Sequence, residues 1–196
     1  MRPYFARKGP PPAHFFTTHA RWVKVFDMNS KRSSVIYMKV KSAKQGTFLG
    51  DDARAGHGKT TCLDFRFSCE VPHDVRKEKG GEYAVVAHKP VTLISEWNPM
   101  VVQCLSAAWT NEVLDEVSLD FVRFDAGGQE VIFATMTLYK ATVAIVDLGS
   151  GDTSRFLQGD YTGLAQIGLS PEKIEFKVKD KGGDASAHYD RKMATS

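Results

Sequence analysis

Cysteine is scarce in this chain: Cys62, Cys69 and Cys104 are the only three among 196 residues. Their number is odd and no CxxC pair occurs, which argues against a disulfide framework and a cysteine-based zinc cluster. They read as packing residues of a chain folded in a reducing compartment. No apolar run approaches the roughly 18–20 residues that a bilayer-spanning helix needs. The first residues are positively charged, but Pro10, Pro11 and Pro12 stand where a signal peptide has its apolar stretch, so no Sec leader is expected. Charge of one sign is also in short supply. Twenty-six basic and 23 acidic residues leave +3, too little to point to nucleic acid.

That charge is unevenly placed. Residues 1–27 hold five basic side chains, Arg2, Arg7, Lys8, Arg21 and Lys24, against Asp27, or +4, so the remainder carries −1. A broad phosphate-binding face on the body is disfavoured. Residues 1–33 read as an N-terminal extension with a proline run and no period, expected to be poorly ordered. Met28 is a candidate true start, which makes 1–27 a start-site artefact; a docking arm is the rival reading. A single domain is expected over 34–192, with a tail over 193–196.

Motifs for catalysis or ligands are missing. Gly56-His57-Gly58-Lys59-Thr60 has the look of a phosphate loop, but Ala53 stands where the first glycine is required. A strand pattern, not a helix, follows it. The six histidines show no metal-ligand spacing, and the carboxylates form no evident acid–base pair. No GxSxG elbow occurs. The expectation is no catalytic residue, cofactor or metal.

What the chain does have is a period of two. Ile36, Met38 and Val40 alternate with Tyr37, Lys39 and Lys41. Leu63 to Cys69, Val117 to Phe121 and Ile174 to Val178 alternate in the same way, as half-buried antiparallel strands do. Gly127-Gly128 joins a 117–125 strand to a 130–146 strand as a hairpin. One segment departs from this. Asn98 reads as a helix N-cap and Pro99 as the first helical position. Val101, Cys104, Leu105 and Ala108 then give an apolar helical stripe. The fold class expected is mainly β, an antiparallel barrel or sandwich with one inserted helix at about 98–109.

The 131–146 strand reads as apolar on both faces. Ile132, Ala134, Met136, Leu138, Ala144 and Val146 form one set; Val131, Phe133, Tyr139, Val143 and Ile145 dominate the other. Large apolar patches are uncommon on monomers. Either the helix or a neighbouring subunit is expected to cover the second set. Val131, Phe133, Tyr139 and Val143 are therefore candidates for a subunit interface.

Six segments in order resemble one family. They are Tyr37-Met38-Lys39-Val40, Leu63 to Ser68, His88 to Leu93 with the Asn98-Pro99 helix start, and the Val117 to Leu138 hairpin. Ile167 to Phe176 and Gly183 to Asp190 complete the set. Together they are similar to the haemolysin-coregulated protein (Hcp) family, the tube protein of type VI secretion systems. Lys44 to Thr47 and Pro171 depart from the family pattern, and Pro171 suggests a bulge or edge. The resemblance implies a structural, non-enzymatic subunit that forms hexameric rings stacked into a secreted hollow tube. Its partners would be further copies, a spike protein, a contractile sheath and effector proteins able to ride in the lumen. Neither nucleic acid nor membrane insertion is implied. The protein would fold in the bacterial cytoplasm and leave without a cleavable signal peptide. The glycine-containing, charged 42–60 loop is the candidate for ring stacking, through Gly50, Asp51, Asp52, Arg54 and Lys59. The alternatives are a monomeric β-barrel module for oligonucleotide or sugar, and an enzyme with a site assembled from dispersed loop residues.

Overall fold

The computed structural model describes residues 34–51, 58–70, 87–149, 163–180 and 183–191. The expectations for the 1–33 extension and the 193–196 tail lie outside these residues, as do Asp52 and Arg54. The elements begin with β1 (Val35–Ser42), β2 (Gly46–Thr47), β3 (Lys59–Cys62), β4 (Asp64–Arg66), β5 (Cys69–Glu70), β6 (Ala87–His88) and β7 (Val91–Glu96). Then come α1 (Pro99–Trp109), β8 (Val113–Phe124), β9 (Glu130–Gly149), β10 (Leu164–Ser170), β11 (Lys173–Asp180) and β12 (Gly183–Asp190). Mainly antiparallel strands with one helix are thus what the described residues show, as expected.

The strands close on themselves. β1 pairs with β8, β8 with β9, β9 with β10, β10 with β7 and β7 with β4. β3 then pairs back with β1. The short segment that interrupts β3 and β4 is anchored by the Leu63 amide, which donates to the Ile94 carbonyl at 2.7 Å. Residues 59–66 therefore pass from one side of the barrel to the other. Closure leaves fewer unpaired strand edges open to water.

β9 makes the same passage on a larger scale. It pairs with β11 over Ala134–Tyr139 and with β10 over Thr142–Gly149. Lys140, with a φ of 50°, sits between the two stretches. On the facing strand the chain breaks at Pro171, which has no amide to donate and separates β10 from β11. The departure at Pro171 does mark an interruption of the strand. Residues 183–190 add β12 outside β11.

Inward side chains from all these strands make one core. Met38, Val40, Leu93, Leu119, Leu138 and Ile167 are fully buried. Each large apolar side chain so buried contributes roughly 1.5–3 kcal/mol. Helix α1 starts where the sequence indicates. The Asn98 side chain accepts from the Val101 amide at 3.1 Å, with Pro99 in the first turn. The buried stripe is Met100, Val101, Cys104 and Ala107, rotated from the expected Val101, Cys104, Leu105 and Ala108. Met100 and Ala107 face the barrel, whereas Leu105 and Ala108 are only half-buried. The helix packs on β9 and β10 and joins the barrel's own core.

Candidate assembly surfaces

Register assigns the outward side chains of β3, β1, β8, β9, β11 and β12 to three rows. Thr61, Tyr37, Asp120, Thr135, Lys177 and Ser186 form one. Lys59, Lys39, Ser118, Thr137, Glu175 and His188 form the second. Lys41, Glu116, Tyr139, Lys173 and Asp190 form the third. Apart from Tyr37, which is buried with its hydroxyl donating to Glu130 at 3.0 Å, this face is polar, and several of its charges pair within it. Lys59 Nζ lies 2.8 Å from Asp120 Oδ2, and the Thr135 hydroxyl donates to Asp120 Oδ1 at 3.3 Å. Lys177 lies 2.8 Å from Glu175, and the Tyr139 hydroxyl donates to Glu175 at 3.3 Å. The Lys177 hydrogen bond, with its charge, holds the Glu175 carboxyl below its usual range and raises Lys177 in return. Partial burial, then the nearby Glu175 charge, pushes the Tyr139 phenol up. Such a face is at ease in water.

The expectation of two apolar faces on residues 131–146 is therefore corrected. Strict alternation fails because β9 is irregular. Phe121 pairs with Ala134 but Val122 pairs with Ile132, so Phe133 is an extra residue. Its ring turns to Phe121, 6.4 Å away, with the Arg123 guanidinium 5.5 Å above it. Val131 pairs with Arg123 on the same side. Tyr139 lies on the opposite, polar face. Past Lys140 the parity changes again, and Val143 pairs with Leu169 and packs against the core. The four candidates, grouped by the sequence, do not share one face. Of the four, Val131 alone is well exposed, at 40%.

Trp97, Ile145, Leu148 and Leu164 are 38–50% exposed around β10, and the other exposed apolar side chains gather at two places along β8. The first is α1 and its flanks: Val102 is 65% exposed, Trp109 79%, Val113 45% and Leu49 64%. Val102 and Trp109 are seven residues apart and share a helix face. Leu49 is tied to the same helix, its amide donating to the Gln103 side chain at 2.7 Å. The second place is the end of the β8–β9 hairpin, where Phe124 and Ile132 are each 46% exposed. Asp125 Oδ1 caps that turn by accepting from Gly127 and Gln129 at 2.8 and 2.9 Å, and Gly128 takes a φ of 78°. The hairpin expected at Gly127-Gly128 is present.

The proposed stacking loop leaves the body beside the first patch. At its base Gly50 lies against Lys59, and a Cβ there would come within 1.8 Å of the Lys59 carbonyl oxygen. Asp51 accepts from the Thr60 hydroxyl. The β1–β2 turn is latched to the helix by Glu112, which accepts from Ser42 and, at 2.9 Å, from Gln45. Burial acts to raise the Glu112 pKa, but these hydrogen bonds and the Lys44 charge outweigh it and hold the carboxyl below its ordinary value.

Cys62 and Cys104 are buried, and burial pushes each thiol up to about 12. They pack as expected, whereas Cys69 is exposed. Among the described residues no three His, Cys, Asp or Glu side chains are placed to hold a metal ion, and no helix is long and apolar enough to cross a membrane. The sequence analysis missed Leu49, Val102 and Trp109. The signal was present: an eleven-residue helix with no charged side chain and Val102 and Trp109 on its outer stripe.

Comparison with known proteins agrees with this architecture. Residues 37–178 match the family described as "Type VI secretion system effector, Hcp". No curated protein matches the sequence. Among solved structures, one titled as the crystal structure of an Hcp protein has a TM-score of 0.68 at 20% identity, covering 81% of this chain and 98% of the other. Secreted protein Hcp3 from Pseudomonas aeruginosa has a TM-score of 0.63 at 19% identity, covering 81% and 98%. Hcp1 from Salmonella typhimurium has 0.59 at 15%, covering 82% and 96%.

Proposed function

Because the chain belongs to the Hcp family of type VI secretion system proteins, we propose that it is a structural tube subunit. It forms hexameric rings that stack into a hollow, secreted tube able to carry effector proteins in its lumen. The spike and the contractile sheath of the secretion system are its other partners, and it leaves the cytoplasm without a cleavable signal peptide. The family match over residues 37–178 carries this reading. The chemistry of the surface supports it: a wide polar face with charges paired in place, beside apolar ends that water does not favour.

Within this reading Val131 and Phe133 belong to the subunit contact through the β8–β9 hairpin end. Val143 packs against the core at the other end of β9, and Tyr139 belongs to the polar face. The loop springing from Gly50, Asp51 and Lys59, through Asp52 and Arg54, serves ring stacking. Native mass measurement and negative-stain imaging of the purified protein test the proposal. Rings of six copies are expected, and a monomer at high concentration overturns it. Phe133 also packs on Phe121, so Val131→Glu is the cleaner probe of the interface. That variant should lose rings while keeping the wild-type thermal midpoint; wild-type rings would remove Val131 from the contact.

A further inference from the structure

Helix α1 (PMVVQCLSAAW) contains no charged residue, yet its outer stripe is left in water. Together Leu49, Val102, Trp109 and Val113 expose roughly 400–500 Å² of side chain, as large as the main apolar patch of a typical monomer and about half of the ~800 Å² each partner brings to a stable interface. The second patch, Phe124 and Ile132, lies at the far end of β8. Twelve residues of strand put it about 36 Å from Val113. Phe124 and Ile132 share one side of the hairpin with the buried Val122, which pairs with Ile132.

We infer that the outer stripe of α1 is the docking site for a second copy of this chain, which seats its β8–β9 hairpin end, Phe124 and Ile132, against Val102 and Trp109. The inference rests on the tube reading and deepens it by naming which surface meets which. Two different apolar patches at opposite ends of one hairpin are what a head-to-tail contact requires, and such contacts close into rings or continue as stacks. A partner of another sequence would need only one of them. The area decides the same way. One such contact falls short of a stable dimer, whereas a subunit that makes it at both ends gains it twice and assembles cooperatively. Leu49 makes the site continuous with the base of the stacking loop, through its bond to Gln103.

Disulfide trapping tests the pairing. In a Cys69→Ser background the introduced thiols are the reactive ones, since Cys62 and Cys104 are buried with thiols pushed up to about 12. Full-length chains bearing Ser106→Cys, on the half-buried flank of the stripe, are mixed with chains bearing Ile132→Cys under mild oxidation. A mixed dimer is expected, with neither variant cross-linking alone. A Ser106→Cys homodimer would mean a symmetric helix-to-helix contact and overturn the inference. Trp109→Asp supplies an independent readout. It should keep the wild-type thermal midpoint and lower the assembled fraction at least tenfold. Wild-type assembly in Trp109→Asp, or no mixed dimer from a wild type that does form rings, also overturns the inference. A wild type that never leaves the monomer instead overturns the tube reading itself.

Discussion

The three-row sheet face and the outer stripe of α1 are both outward surfaces of one barrel, yet they solve opposite problems. The sheet face carries Lys39, Lys41, Lys59, Lys173 and Lys177 among Asp120, Glu116 and Glu175. Several of these meet within hydrogen-bond or ion-pair distance. The helix carries no charge, and Trp109 stands 79% exposed. Period and polarity explain the difference. A strand shows alternate residues to each side, so Lys39, Ser118, Thr137 and Glu175 supply a continuous polar surface. A helix shows a stripe, and Val102 and Trp109 leave that stripe apolar. An outward surface stays apolar where a stripe lacks charge, whatever alternation a single strand shows.

The largest effect breaks both surfaces at once. Leu138 is fully buried on β9, beneath the strand that both share. Leu138→Ala should cost about 2–5 kcal/mol in urea unfolding. An unmoved midpoint would contradict the core as described.

A middle-sized effect separates the two surfaces. Glu112 latches the Ser42–Gln45 turn to the end of α1 and does not touch the polar face. Glu112→Ala leaves the partners in the latch unpaired and should cost about 1–3 kcal/mol at neutral pH. Hydrogen exchange should rise at residues 42–49 and stay unchanged in β11. The Glu112 pKa is lower in the folded state than in the unfolded one. Its contribution is therefore present above the unfolded value and lost as pH falls through the folded value. The gap between wild type and Glu112→Ala should narrow below about pH 4. A gap that widens on acidification would contradict the sign.

The smallest effect tests the polar face alone. Lys59 and Asp120 are partly exposed, with side chains at 25% and 14%. Lys59→Met should cost only about 0.5–1 kcal/mol, shrinking in high salt, as part-exposed ion pairs do. A loss of several kcal/mol would show that the face is not self-sufficient in water.

Much of the fold could be read from the residues. Alternation in 36–41, 117–121 and 174–178 placed β1, β8 and β11, and Asn98-Pro99 placed the start of α1 within one residue. Side-chain period is a local property, set by chain geometry alone. The interface candidates fared differently. Val131, Phe133, Tyr139 and Val143 fall into one set only if β9 is regular. The extra residue at Phe133 and the φ of 50° at Lys140 reassign them to different faces.

By itself, then, the sequence determined the class of fold, the family to which the chain belongs, and the helix and its cap. These follow from residue identity and short spacing. Tertiary structure alone decided which outward surface is wet and which is bare. Both depend on which strands lie side by side: a bulge in β9 arises from pairing with β8, and the Asp120 charge that neutralises Lys59 sits where register brings it. No local pattern records a partner that register places 61 residues away, as Asp120 is from Lys59.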